Sequence, residues 1–130
     1  MTVTPIDAED APASRAYAQG ILVSGIDALM FVSGQIPINM ADEAPDGVEA
    51  QVNLVVDNLE AQLRAGGLGL GDVVKLTALI ASSDVGRDAL PILAARFGGR
   101  IPAITAIVCE QFNPSWLLEV EAIAVQRAAQ

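Results

Sequence analysis

At 130 residues, with 52% hydrophobic and 18% charged side chains, the chain is long enough for one folded domain with a proper core and too apolar to be disordered. Sixteen acidic residues against seven basic ones leave a net charge of −9 and no basic cluster, so a phosphate backbone would be repelled and nucleic acid is not an expected partner. Histidine is absent and Cys109 is the single cysteine, which removes the commonest general base, an intrachain disulfide and a cysteine-cluster metal site.

Residues 1–13 are polar and punctuated by proline, and read as a loosely held arm of a single domain spanning 1–130. The first ten residues lack the basic and apolar regions of a signal peptide, and no apolar run reaches a membrane-spanning length. With one cysteine, the expectation is a reduced, cytoplasmic setting and no membrane partner. Residues 15–23 and 28–33 read as strands joined by a hairpin turn at Ser24-Gly25-Ile26-Asp27. Residues 34–46 hold two prolines, a glycine and three acids, and read as a loop.

Val48–Ala65 is the clearest helix. Val48, Val52, Val55, Leu59 and Leu63 recur at spacings of four, three, four and four and draw one apolar stripe. Asp46 suits its N-cap, and Gly66-Gly67 suits its stop. Val73–Ile80 is apolar enough for a central strand. Residues 82–84 can cap a second helix over about 85–97; Pro91 fits a first turn if that helix begins near Ala89. Residues 103–109 and 117–125 are the last strands. The glycines between Gly66 and Gly71 follow a helix and precede a strand, the reverse of a phosphate-binding loop.

The order β-β-α-β-α-β-β predicts an α+β fold with both helices on one face of a sheet. In the last strand Leu118, Val120, Ala122 and Ala124 point one way, and Leu117, Glu119, Glu121, Ile123 and Val125 the other. The second sheet face would be bare in a single copy, which favours association.

Several segments resemble a known family. They are Tyr17-Ala18-Gln19; Phe31-Val32-Ser33-Gly34-Gln35-Ile36-Pro37; Gln51 with Asn58-Leu59 and Leu63; Ala65-Gly66-Gly67; Asp72-Val73-Val74-Lys75; and Leu118-Glu119-Val120-Glu121-Ala122-Ile123-Ala124. In this order and spacing, over residues 15–127, they are similar to the RidA/YjgF (reactive intermediate deaminase) family. The resemblance implies a fold like that of the Bacillus-type chorismate mutase. It also implies a homotrimer whose sheets form an inner barrel, with small-molecule clefts between subunits. The implied reaction is hydrolysis of enamines or imines to keto acids and ammonia, with no metal or organic cofactor.

Carried over by position, Glu119 matches the glutamate that positions the attacking water, the implied catalytic residue; otherwise it is a solvated carboxylate. Glu121 falls on the same strand face. Tyr17 and Ser33 match cleft-lining residues, or are an interface aromatic and a strand-end hydroxyl. Gln35 reads as structural. The chain departs from the family where it matters most. After Pro102-Ala103 the family carries an arginine that grips the substrate carboxylate in a bidentate pair; Ile104 stands there and cannot. Ala106 stands where a cysteine is common, and Leu90 and Leu93 where an asparagine and a tyrosine are expected. Arg15 and Arg100 are the nearest replacement cations in sequence. Cys109 falls on the strand face opposite Ile104 and reads as a small buried hydrophobe.

Three functions stay open at this point. One is an atypical Rid enzyme acting on a small reactive imine or enamine, inefficient on 2-aminoacrylate. Another is a non-catalytic, ligand-binding or regulatory trimer. The third, an endoribonuclease, is opposed by the charge and the missing histidine.

Overall fold

The computed structural model describes residues 2–14, 16–99 and 101–127. Its longest element, α1 (Val48–Ala65), buries Val52, Val55, Val56, Leu59 and Leu63, the stripe read from the spacing, together with Gln51. Gly47 rather than Asp46 is the N-cap, at φ 93°, a conformation glycine adopts without strain. The helix closes as expected. Gly67 (φ 79°) donates to the Arg64 carbonyl and Leu68 to the Leu63 carbonyl, the reciprocal pair of a Schellman stop. A short 3-10 turn at Leu70–Asp72 then leads into β4 (Val73–Ile80), so the glycine-rich stretch is a helix stop and connection.

The second helix, α2 (Ser83–Arg96), lies close to the expected 85–97 but starts six residues before Ala89, so Pro91 stands in its interior rather than in a first turn. Two features outweigh the proline. The Ser82 side chain caps the Val85 N–H at 3.2 Å. Gly86, Ala89 and Leu93 form a buried line, with Gly86 against Ile80. The Pro91 ring lies on the exposed side, so the proline removes one helical hydrogen bond without opening the core. A second glycine pair, Gly98-Gly99, stops α2 by donating to the Ala95 and Ala94 carbonyls.

The sheet runs β3 (Ile26–Gln35), β6 (Leu118–Arg127), β4, β5 (Ala103–Val108). Only β4–β5 is parallel, joined through α2 as a parallel pair requires. The N-terminal part differs from the sequence reading. Thr2–Ile6, within the presumed arm, is a strand, β1, and it pairs antiparallel with β2 (Gly20–Ser24) in a separate two-stranded ribbon. The expected hairpin at residues 24–27 does not form. Strand β3 pairs with β6 from Ile26 onward, which leaves only Gly25 (φ 66°) between β2 and β3, too short for a hairpin loop.

Both helices cover one sheet face. Val32, Leu76, Ala78, Ile80, Leu118, Val120, Ala122 and Ala124 point there and join the α1 stripe and Leu93 in the core. The other face carries Leu79, Thr77, Lys75, Glu119, Glu121 and Ile123, with Leu29 (52% exposed) and Phe31 (72%) uncovered on β3. Among the described residues no helix is long and apolar enough to cross a membrane.

The loop over residues 36–47 is tied down by α1. Asn58 donates to the carbonyls of Ile36 and Ile38. Gln51, 2% exposed, donates to the carbonyls of Pro45 and Ser115 and accepts the Leu117 N–H. Two residues singled out by the sequence motifs therefore join the loop, α1 and the β5–β6 connection.

Candidate functional site

A groove of about 550 Å³ lies between α2 and β5. Leu90, Pro91 and Ala94 form one wall, Ile104 and Ala106 the floor, and Ala16, Tyr17 and Ile101 the end. The end wall is held by backbone: Ile101 donates to the Ala16 carbonyl at 2.9 Å, and Ala18 to the Ile101 carbonyl at 3.4 Å. The parallel register places Ile104 beside Leu76 and Ala106 beside Ala78, so both belong to the helix-covered face, at the β5 edge. Three segments distant in sequence thus bring Tyr17, Leu90, Ile104 and Ala106 together. Among the described residues none of the lining side chains is charged, and Tyr17 carries the one polar group.

Leu93 does not join them. It is 1% exposed and belongs to the core, three residues along α2 from Leu90. Pro91, Ala94, Ala16 and Ile101 were not foreseen as lining residues; small apolar side chains carry no chemical signal, and only their proximity in space reveals them. Arg15 and Arg100 lie outside the described residues; in sequence they adjoin Ala16 and Ile101 of the end wall.

Glu119 and Ser33 form a second cluster. Glu119 sits on β6 opposite Leu79, on the open sheet face. Strand β3 bulges beside it: between the pairs Val32–Ala122 and Gln35–Val120, Ser33 and Gly34 together face Glu121. The Glu119 side chain lies flat on Gly34, so that a Cβ built there would stand 2.0 Å from its Oε1. The Gln35 amide donates to the Ser33 carbonyl at 2.9 Å and stitches the bulge, a structural role for this residue. Ser33 itself is exposed. Within one chain the two clusters stay apart, on opposite faces of the sheet and toward its opposite edges.

On the open face, Glu121 shares a pocket of about 150 Å³ with Phe31, Lys75, Thr77 and Ile123. Lys75 is engaged with the Thr105 hydroxyl at 2.8 Å. Cys109 lies just past β5, half-buried rather than fully buried, with its N–H donating to the Ile80 carbonyl. Among the described residues no three His, Cys, Asp or Glu side chains are grouped to hold a metal ion. Chemically, the described walls of the groove are apolar apart from the Tyr17 hydroxyl, and a carboxylate such as that of Glu119 can orient a water.

Comparison with known proteins gives a consistent picture. Residues 8–126 match the family described as endoribonuclease L-PSP. A 2-iminobutanoate/2-iminopropanoate deaminase of Escherichia coli is 34% identical over 127 residues, spanning 94% of this chain and 97% of that protein. A protein of the same name from Rattus norvegicus is 34% identical over 124 residues, with 93% and 88% covered. Among solved structures, YyfB of Yersinia pestis, described as a protein of unknown function of the conserved Rid family, superposes with a TM-score of 0.81 at 25% identity, over 96% of this chain and 99% of that one. The YjgF gene product of Escherichia coli gives a TM-score of 0.71 at 32% identity, with 95% and 99% covered.

Proposed function

The chain belongs to the endoribonuclease L-PSP family, that of the Rid and YjgF proteins, and on that premise we propose that it hydrolyses a small imine or enamine in clefts between the subunits of a homotrimer. An enamine first becomes the imine by moving a proton from nitrogen to its β-carbon; water then adds to the C=N carbon, the C–N bond breaks, and ammonia and a carbonyl compound leave. The proposed substrate differs from that of the named deaminases in lacking a carboxylate that must be clamped.

The observation that carries this reading is the groove. Ile104 occupies its floor where a carboxylate-binding arginine is expected, flanked by Ala106 and Leu90. A carboxylate pressed against that apolar wall would cost several kcal/mol, roughly, unless a cation reached it. The two clusters also complement one another. A head-to-tail contact would set the Ser33–Glu119 edge of one copy against the groove of the next, and repeated around an axis it closes a ring. Leu29 and Phe31, exposed on the uncovered face, supply apolar surface for such a contact. In the assembled cleft Glu119 orients the water, Tyr17 and Ser33 hold the polar end of the substrate, and Ile104, Ala106 and Leu90 select its apolar part. No metal or organic cofactor is called for in this scheme.

A second reading, a trimer that binds a neutral metabolite without turnover, is favoured by one feature: among the described residues, Tyr17 is the one polar side chain lining the groove. Ammonia release separates the two, measured on freshly generated 2-aminoacrylate and on a carboxylate-free imine, with wild type and Ile104→Arg in parallel. The expected result is slow release from 2-aminoacrylate by wild type, at least tenfold faster release by the variant, and wild-type turnover of the carboxylate-free imine. Wild type matching the variant on 2-aminoacrylate would overturn the substrate assignment. Silence of both proteins on both substrates would favour the binding trimer.

A further inference from the structure

Glycine at position 34 has no backbone reason to be there. Gly25, Gly47, Gly67, Gly98 and Gly99 all take positive φ, where other residues are strained; Gly34 does not. Its conformation is open to any residue, and a strand interior normally disfavours glycine. The reason is instead a neighbour. A Cβ at this position would stand 2.0 Å from Oε1, 2.7 Å from Cδ and 2.8 Å from Cγ of Glu119. All three lie well inside van der Waals contact, so the outer half of the glutamate side chain fills the space a Cβ would need.

We infer that Gly34 is a positioning residue: its missing side chain forms the seat on which Glu119 lies, and the bulge of β3 presents that seat. Two further features fix the geometry. The bulge is anchored by the pairs Val32–Ala122 and Gln35–Val120. The Gln35 amide closes it by donating to the Ser33 carbonyl. Seat and clasp thus come from the consecutive residues Ser33, Gly34 and Gln35, and the carboxylate they hold is that of Glu119 on β6. With any side chain at 34 the carboxylate must rotate off the bulge, away from the sheet edge where the proposed cleft forms. The importance of this seat for turnover rests on the function proposed above; the seat itself does not.

The test compares wild type, Gly34→Ala, Glu119→Ala and the double variant at one protein concentration. Carboxyl ¹³C spectra come first, with the Glu119 line assigned by its loss in Glu119→Gln. In Gly34→Ala this line is expected to move while the other glutamate lines stay. In urea unfolding, Gly34→Ala should be less favourable for the midpoint in the wild-type background than in the Glu119→Ala background, where no carboxylate has to move, the non-additivity of a contacting pair. If Gly34→Ala alone fails to fold while the double variant folds, that is the same coupling in stronger form. On a substrate that wild type turns over, kcat should fall at least tenfold with KM within twofold and the assembly unchanged. An unmoved Glu119 line, an equal loss in both backgrounds, or failure of both alanine-34 variants to fold would overturn the inference. Absence of turnover in wild type would sink the proposed function and leave the spectral and unfolding results to decide the seat.

Discussion

Replacing Gln51 with leucine removes three hydrogen bonds from a position that is 2% exposed, with little change in volume. The amide nitrogen donates to the Pro45 and Ser115 carbonyls, both at 2.9 Å, and the amide oxygen accepts the Leu117 N–H at 2.8 Å. Their fates differ. Ser115 is exposed, so its carbonyl regains water. Pro45 and Leu117 are half-buried and recover solvent only in part. A stranded buried donor or acceptor costs about 1–3 kcal/mol, and a lost bond whose partner is rehydrated about 0.5–1.5 kcal/mol. The apolar side chain offsets a fraction of this. The net expectation is a loss of about 2–4 kcal/mol. At roughly 4 °C per kcal/mol for a domain of this size, Tm falls by about 10 °C. Urea unfolding at a fixed protein concentration measures it, because an assembling protein has concentration-dependent stability. Gln51→Glu serves as a control: it keeps the acceptor for Leu117 but turns an oxygen toward the two carbonyls, and should be at least as damaging. A Gln51→Leu variant within about 0.5 kcal/mol of wild type would refute the claim that this side chain joins the 36–47 loop to the β5–β6 connection.

Two further expectations concern α2. Pro91→Ala restores the N–H that the Arg87 carbonyl lacks in a helix interior and should stabilise by about 1–3 kcal/mol; an unchanged or lower unfolding midpoint would count against an unrelieved helix there. Arg96 donates to the Asn53 carbonyl and Oδ1 at 3.2 Å each and to Asp57 at 2.8 Å, bridging α2 to α1. Its side chain keeps 26% of its exposure and that of Asp57 63%, so screening leaves the ion pair little; Arg96→Ala should lose about 1 kcal/mol, of which the Asn53 part survives in high salt. A loss that vanishes in molar salt would place the whole effect in the ion pair.

Much of the helix-covered core was legible because periodicity is a local property. The spacing Val52, Val55, Leu59, Leu63 and the alternation Leu118, Val120, Ala122, Ala124 each name an apolar face, and those two faces meet. The glycine pairs after both helices were legible for the same reason: a left-handed stop needs only the residue itself. The reading of α2 over about 85–97 came within two residues at its start, but a first-turn place for Pro91 did not hold, because a proline is a conspicuous local signal. The burial of Gly86 against Ile80 and of Leu93 in the core is not local, and it sets the boundary and the facing of that helix.

Strand partners were the least legible. Nothing in residues 2–6, with Pro5 among them, announces that they pair with residues 20–24, and the Ser24–Asp27 turn chemistry pointed to a different hairpin. For the candidate site, residue types told that position 104 carries an isoleucine and no charge, but not which side chains would stand around it. Sequence alone determined the composition of each face, the helix stops and the chemical character of Tyr17, Ile104 and Glu119. Tertiary structure decided that Tyr17, Leu90, Ile104 and Ala106 share a groove while Glu119 lies on Gly34 across the sheet. The physical reason is that a side chain's polarity is its own, whereas its neighbours are set by strand register and by which faces find each other to bury.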